Sequence, residues 1–241
     1  MNAGREPPGV QLTLGFPHEP TTSRADFVVG RANAEAITLI EAMPEWPLRG
    51  MFLLGPEGSG KSHLTAVWCE FPGAARIAGR DLASADADRL TAGGAVAVED
   101  LHDGPIDEPA LFHLLNLATE RDAKVLVTSR AGTGALGLSL PDLISRLRAM
   151  RLVTLASPDD DLLRRVLTKL FADRQLQVDP GVIGYIATRM ERSFAAANRI
   201  VAALDHAALA AGTAVTRRLA AQVLGDHADE TQGDFWDDAA T

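Results

Sequence analysis

A chain of 241 residues, 46% of them hydrophobic, has room for one large domain or two modest ones with sizeable cores. A net charge of -9 argues against a chain that grips a DNA backbone by itself, because phosphate neutralisation supplies most of that affinity, although a local basic patch is compatible with it. The single cysteine, Cys69, excludes an intramolecular disulfide, and no stretch approaches the ~20 apolar residues that a membrane helix needs.

The first segment, residues 1–25, is polar and broken by Pro7, Pro8, Pro17 and Pro20, yet Gln11 to Phe16 reads QLTLGF. Leu12, Leu14 and Phe16 beside Gln11 either pack on the chain's own core or are held out on stiff, extended spacers for another protein. DFVVGRANAEA follows from Asp26 to Ala36, and then Gly50 to Ser62 reads GMFLLGPEGSGKS. Met51 to Leu54 is an apolar run of the kind buried in a parallel sheet. Gly55, Gly60, Lys61 and Ser62 match G-x-x-x-x-G-K-[ST], and HLTAVWCE continues as a helix. Strand, glycine loop and helix are the context that this phosphate-binding motif requires. The glycines let backbone N–H groups curl around phosphates, and the helix N-terminus adds a favourable dipole. Lys61 would reach the β- and γ-phosphates, and Ser62 would ligate Mg²⁺. Cys69, near the end of this helix, reads as a small hydrophobe.

GAVAVEDLHD, from Gly94 to Asp103, gives a strand over Ala95 to Val98 with Glu99 and Asp100 at its C-terminal edge. Ligands of parallel sheets bind at that edge. One carboxylate can hold Mg²⁺ and the other can polarise water. Lys124 to Thr128 and Leu152 to Leu155 supply further strands, and their alternation with helical stretches predicts an α/β fold with a parallel, doubly wound sheet flanked by helices. From Ser157 the pattern is helical, over about Asp159 to Arg174, Gly181 to Met190, Phe194 to Ala211 and Thr216 to Leu224. SPDDDLLRRVL opens that part with an N-cap and acids in the first turn. The expected organisation is an α/β domain over 26–156, a small all-helical lid over 157–225 and an acidic tail over 226–241 of disordered composition.

These motifs resemble the AAA+ family of P-loop ATPases, and within it the DnaA/Hda family of replication-initiation proteins, over about Asp26 to Leu224. DFVVGRANAEA is similar to the family's FVVG-x-x-N-x-x-A box, which makes Val28, Val29, Gly30 and Asn33 candidates for the adenine pocket. Gly55, Pro56, Glu57, Gly58, Ser59, Gly60, Lys61, Ser62 and His63 correspond to the family's phosphate loop. VEDL places Glu99 where the family has its Mg²⁺-holding aspartate, with Asp100 beside it. The extra methylene implies looser metal geometry and slow hydrolysis. Thr128 and Ser129, in VTSR, fall where a family hydroxyl orients the attacking water. PDLISRLRAMRLVTL resembles the family's box VII and implies that Arg146 is an arginine finger for a neighbouring subunit's γ-phosphate, with Arg148 and Arg151 as alternatives. ERSFAAANRIVAALD departs from the family by placing Ala195 near the position of a lid arginine that reaches the phosphates. Arg192, one turn earlier, is the preferred substitute and Arg199, one turn later, the other.

DnaA continues into a basic helix-turn-helix module, whereas Leu224 is followed here by GDHADETQGDFWDDAAT, with six acids and no Lys or Arg. The expectation is the initiator's ATPase core without its DNA reader. Phe235 and Trp236 in that tail either dock on a partner or end a floppy segment. Hda-like proteins carry, before their core, a Q-x-x-L-x-[LF] motif for the bacterial sliding clamp, the beta subunit of DNA polymerase III. Gln11, Leu14 and Phe16 fit it, the apolar pair filling a pocket and the glutamine bonding at its rim. The resemblance therefore implies a cytoplasmic negative regulator of replication initiation. It would bind ADP or ATP with Mg²⁺, reach DNA mainly through the clamp, have weak or no ATPase of its own, and promote hydrolysis of DnaA-bound ATP through Arg146. AAA+ subunits commonly share sites, which leaves room for a homo-oligomer. Two rivals are an AAA+ helicase loader that binds replicative helicase and a small-molecule kinase, which would need arginines within its own active site.

Overall fold

A computed structural model describes residues 22–46 and 50–233, so Gln11, Leu12, Leu14 and Phe16 lie outside the described residues, as do Phe235 and Trp236. Among the described residues five strands form one parallel sheet: β1 (Gly50–Leu54), β2 (Ala74–Ala78), β3 (Ala95–Glu99), β4 (Lys124–Ser129) and β5 (Arg151–Thr154). Their order is β2-β3-β4-β1-β5. Leu54 pairs with Ser129 and Val98 with Val127, so the C-terminal ends of the central strands are level. That register brings Gly55, Asp100 and Arg130 to one edge of the sheet.

The strands alternate their side chains between two faces. Met51, Leu53, Ala95, Ala97 and Leu126 face α1 (Ala34–Glu41) and α2 (Lys61–Trp68), packing on Ile37, Ile40, Leu64 and Trp68. Phe52, Val96, Val98, Val125 and Val127 face the other way. They meet α4 (Glu108–Glu120) through Leu111 and Leu114, and α5 (Pro141–Ala149) through Leu143 and Leu147. The short α3 (Ala87–Thr91) packs at the margin of the same layer.

β2 is a strand that the sequence pattern does not announce. AARIA is an edge strand of mostly small residues, half-buried along most of its length, so it shows neither an apolar run nor a strict alternation. Two bare backbones set where it starts: a Cβ on Gly93 would stand 1.8 Å from the Gly73 carbonyl oxygen.

The last four helices, α6 (Asp160–Asp173), α7 (Pro180–Ala187), α8 (Phe194–Ala211) and α9 (Arg217–Gly233), enclose a core of their own around Leu163, Leu167, Phe171, Ile186, Ala197 and Leu204. Side-chain caps start all four, Thr216 doing so for α9 by accepting from Leu219 N. Asp159 accepts from Leu162 N, Asp179 from Gly181 N and Ser193 from Ala196 N. Gly212, at φ 60°, ends α8 in the left-handed conformation that glycine adopts without strain. α9 runs beyond Leu224 to Gly233, through residues of the segment read as an acidic tail. Among the described residues no helix is long and apolar enough to cross a membrane.

Candidate functional site

The loop after β1 is a backbone cradle. Gly58 and Gly60 have φ of 65° and 95°, a region that side-chain-bearing residues rarely enter. Lys61 is buried and its Nζ donates to the carbonyls of Gly55 (2.8 Å) and Pro56 (2.9 Å). Burial lowers its pKa, Asp100 pulls it back up and Arg130 adds to the lowering. Ser59 Oγ donates to Pro56 O (2.8 Å), so it braces the loop from beneath. Ser62 lies in the first turn of α2 and lines the cleft with Glu57, Gly58, Gly60 and His63.

At the end of β3, Asp100 takes φ 49°, a strained value for a non-glycine residue. Thr128 holds that turn: its Oγ1 accepts from Asp100 N (3.0 Å) and its carbonyl from Leu101 N (2.9 Å). Ser129 Oγ donates to Ala131 O (2.7 Å) and accepts from Ala131 N (3.0 Å). Both hydroxyls are buried under backbone, and neither residue is among those that line the cleft. The next residue, Arg130, does line it, with Nη1 2.7 Å from Glu57 Oε2.

Ser62 and Asp100 also border a second hollow of about 320 Å³, which Glu99 shares with Arg76 and Arg80. The Glu99 side chain is only 16% exposed and lies 3.6 Å from Arg76 Nη1. Burial raises its pKa, opposed by Arg76, while Asp100 raises it further and a hydrogen bond from Thr65 lowers it. A carboxyl with a raised native pKa binds its proton more tightly folded than unfolded, so the chain loses stability as pH climbs through the glutamate range. At neutral pH the nucleotide-free Glu99→Gln variant should therefore melt above the wild type, and the two should converge at acid pH. A variant melting lower at neutral pH would mean that the Arg76 pairing outweighs burial. Among the described residues no three His, Cys, Asp or Glu side chains are placed to hold a metal alone. Mg²⁺ bound beside phosphates needs only one or two carboxylates.

The opposite part of the cleft comes from the chain's entry and from the lid. Asn33 Oδ1 accepts from Gly30 N (2.7 Å) and its Nδ2 donates to Val28 O (3.0 Å), which fixes the VVG backbone. Val28 and Asn33 line the cleft. Val29 is exposed, and its carbonyl accepts from Arg165 Nη1 of α6 (2.9 Å). A Cβ at Gly30 would stand 2.8 Å from Leu162 Cδ2, so any larger residue there would displace that methyl group of α6. His63 Nε2 donates to Ser23 O (2.9 Å), and its ring meets Phe27 edge-on.

From the lid, Val166 and Leu170 of α6 join Phe194, Ala195 and Asn198 of α8. Phe194 N donates to Gly58 O (2.9 Å), so α8 starts directly on the glycine loop. Lys169 Nζ bridges Asp26 (2.7 Å) and Asp173 (2.8 Å) across the cleft mouth. The enclosed volume is about 370 Å³, within the usual range for small-molecule sites. Ala195 occupies the cleft wall, whereas Arg192 is outside the lining and bonds Asp160 (2.8 Å). Arg199 lies 3.5 Å from Glu191, also outside.

Arg146 stands elsewhere, exposed on α5, with its guanidinium carbon 5.3 Å from the Phe112 ring centroid. Arg148 is exposed on the same helix, and Arg151 pairs with Glu35 at 2.9 Å.

The residues present fit a phosphate-bearing ligand with a flat apolar ring. The cradle leaves no room for a Cβ at Gly58, which would stand 2.4 Å from Ser193 Cβ. Asn198 Oδ1 is a buried acceptor with no hydrogen-bond partner among the described residues, and Asn198 lines the cleft. Sequence reading did not single out Arg130, Lys169, Phe194 or Asn198. Arg130 follows β4 at the sheet edge where ligands bind, and that position was the available signal. The lid residues carried none, since only packing turns them toward the loop.

No protein-family model matches the sequence, and no curated protein matches it. Solved structures do. Domain III of the Thermotoga maritima replication initiation protein DnaA superposes with a TM-score of 0.74 at 16% identity, covering 88% of this chain and 98% of that one. AMPPCP-bound DnaA from Aquifex aeolicus gives 0.64 at 18% identity, over 76% of this chain and 64% of that one. The Thermotoga maritima RuvB Holliday junction branch migration motor gives 0.68 at 17% identity, over 85% and 72%. The chain has a DnaA-like AAA+ fold.

Proposed function

We propose that this chain is a nucleotide-binding regulator of replication initiation that acts on ATP held by another AAA+ protein, DnaA. The observation that carries this reading is where its arginines stand. Its own cleft presents Ala195 at the position expected for a lid arginine, the two arginines that line the cleft are engaged within the chain, Arg130 by Glu57 and Arg174 by Leu170 O and Asp205, and Arg146 stands exposed on α5 with no carboxylate paired to it among the described residues. A cation held away from its own site is available to a neighbour's phosphates, where arginine fingers act.

The AMPPCP in a DnaA of the same fold supports an adenine nucleotide, ADP or ATP, for the cleft. The glycine loop and Lys61 would hold its phosphates, and Ser62 with Glu99 or Asp100 would hold Mg²⁺. That ion would supply charge neutralisation. The protein's own groups orient and bind. Asp100 and Arg130 stand at the phosphate end, and Val28, Val166 and Leu170 supply apolar surface. With Glu99 drawn toward Arg76, Ala195 at the position expected for a lid arginine, and Arg174, the lid arginine that does line the cleft, held by Leu170 O and Asp205, slow turnover by this chain is the expected state.

The QLTLGF peptide would tether the protein to the sliding clamp, and two joined contacts would bind more tightly than either alone. Calorimetry of clamp binding by wild type and by Gln11→Ala/Leu14→Ala/Phe16→Ala tests this. The variant should lose about 10-fold or more in clamp affinity, the scale of truncated interface anchors, while its ADP affinity holds. If the ADP-loaded wild type ignores the clamp and captures replicative helicase, the helicase-loader reading replaces this one.

A further inference from the structure

The outer face of the lid carries a second concentration of cations. The ring of Tyr185, on α7, has two guanidinium groups against it: Arg189 with its carbon 4.0 Å from the centroid and Arg217 at 4.7 Å. Arg218 is exposed beside Arg217, and Arg164 Nε of α6 lies 4.0 Å from where a Cβ of Gly184 would stand. Arginines of α6, of α9 and of the turn after α7 thus lie around α7, two of them on the Tyr185 ring.

These arginines differ from their neighbours in what they pair with. Elsewhere on the lid, Arg165, Arg174, Arg192 and Arg199 each have a carboxylate within 4.0 Å. Arg164, Arg189, Arg217 and Arg218 have none among the described residues, on a chain of net charge -9 that has acids to spare. Arg217 and Arg218 also occupy the first turn of α9, which holds no acid and where the helix dipole already favours an anion. Thr216 caps that turn by accepting from Leu219 N (3.3 Å). Two like charges on one ring repel each other, and the ring's quadrupole offsets only part of that cost. An anion between them would remove it.

We infer that this face binds the phosphate backbone of duplex DNA without reading its sequence. Every cation here is arginine, whose planar fork bonds phosphate oxygens in pairs. Several separated cations suit a row of phosphates better than one small anion. Single-strand binders stack bases on bare aromatic rings, and the Tyr185 ring is already taken by arginines. The acidic remainder of the surface would turn this face toward the duplex. The inference goes beyond the proposed function, since it requires neither clamp nor DnaA.

The test is fluorescence anisotropy of a labelled duplex of arbitrary sequence, about 20 base pairs long, with the full chain alone, titrated across salt from about 50 mM. Wild type should bind in the non-specific range, with Kd about 10⁻⁴ to 10⁻⁶ M. Arg189→Ala/Arg217→Ala/Arg218→Ala should bind at least ~10-fold more weakly, and its salt slope should flatten by about 0.9 for each phosphate that the variant no longer neutralises. Melting temperature and ADP affinity check that the variant is folded. Arg217→Gln/Arg218→Gln, which keeps Arg189 on the Tyr185 ring, replaces it if the triple variant unfolds, and should show the same weakening and flattening to a smaller extent. An unchanged slope and affinity in the variant used would overturn the proposal. So would a wild type that does not bind duplex, or that binds single strands or poly-glutamate as well. Duplex binding abolished with ADP affinity intact leaves the nucleotide reading standing.

Discussion

Arg146→Ala should reduce the chain's stimulation of ATP hydrolysis on DnaA by about 10³-fold or more, the scale of a lost arginine finger, with its own ADP affinity unchanged. The residue makes no ion pair among the described residues, and its guanidinium rests on the Phe112 ring. Removing it from an exposed helix position therefore costs little stability, so lost activity would report a lost function. Arg148→Ala and Arg151→Ala are the controls. Arg151 is spent on Glu35, and its removal should leave stimulation nearly intact. The measurement is single-turnover hydrolysis of ATP pre-bound to DnaA, with the clamp loaded on DNA. If Arg146→Ala stimulates as well as wild type while Arg148→Ala does not, the finger is the later residue. If neither matters, action in trans is wrong.

Lys61→Ala should weaken ADP binding by about 10- to 100-fold, as expected for losing one or two hydrogen bonds to charged groups. The ammonium group is buried, its pKa is depressed by that burial, and two carbonyls of its own loop hold it. Phosphate oxygens would replace those carbonyl bonds and favour the charged form. The variant also loses the two bonds that fix the loop, so a modest fall in melting temperature accompanies the weaker binding. Calorimetric titration with ADP decides it. Affinity equal to wild type would mean that nucleotide does not use this loop.

The parts of the molecule readable from sequence are those where local chemistry dictates the shape. GPEGSGKS curls because Gly58 and Gly60 take positive φ. α8 spans Phe194–Ala211, as the pattern predicts, because Ser193 caps one end and Gly212 the other. β2 was not readable, since pairing with β3, rather than any preference of Ala-Ala-Arg-Ile-Ala, makes it a strand. Thr128 and Ser129 were found at the right strand end, but hydroxyls facing a ligand and hydroxyls bracing a turn look alike in one dimension. Helical spacing points to Arg192, yet its side chain goes to Asp160. Which way a long side chain turns depends on acids contributed by other helices, and no local pattern encodes that.

The lid follows β5 through one short connection, residues 155–159, and keeps a hydrophobic core apart from those of the sheet. What fixes its angle is a handful of touches across the cleft: Phe194 on Gly58, Arg165 on Val29, Leu162 on Gly30 and Lys169 on Asp26. The first two flank the loop and the box proposed to hold the nucleotide, so a nucleotide there would sit between lid and sheet as in a jaw, with residues 155–159 at the joint. Whatever free energy holds the lid in this position would then add to the observed affinity. A substitution on the far side of the lid that strains the hinge would be felt as a change in affinity, with no altered residue near the phosphates.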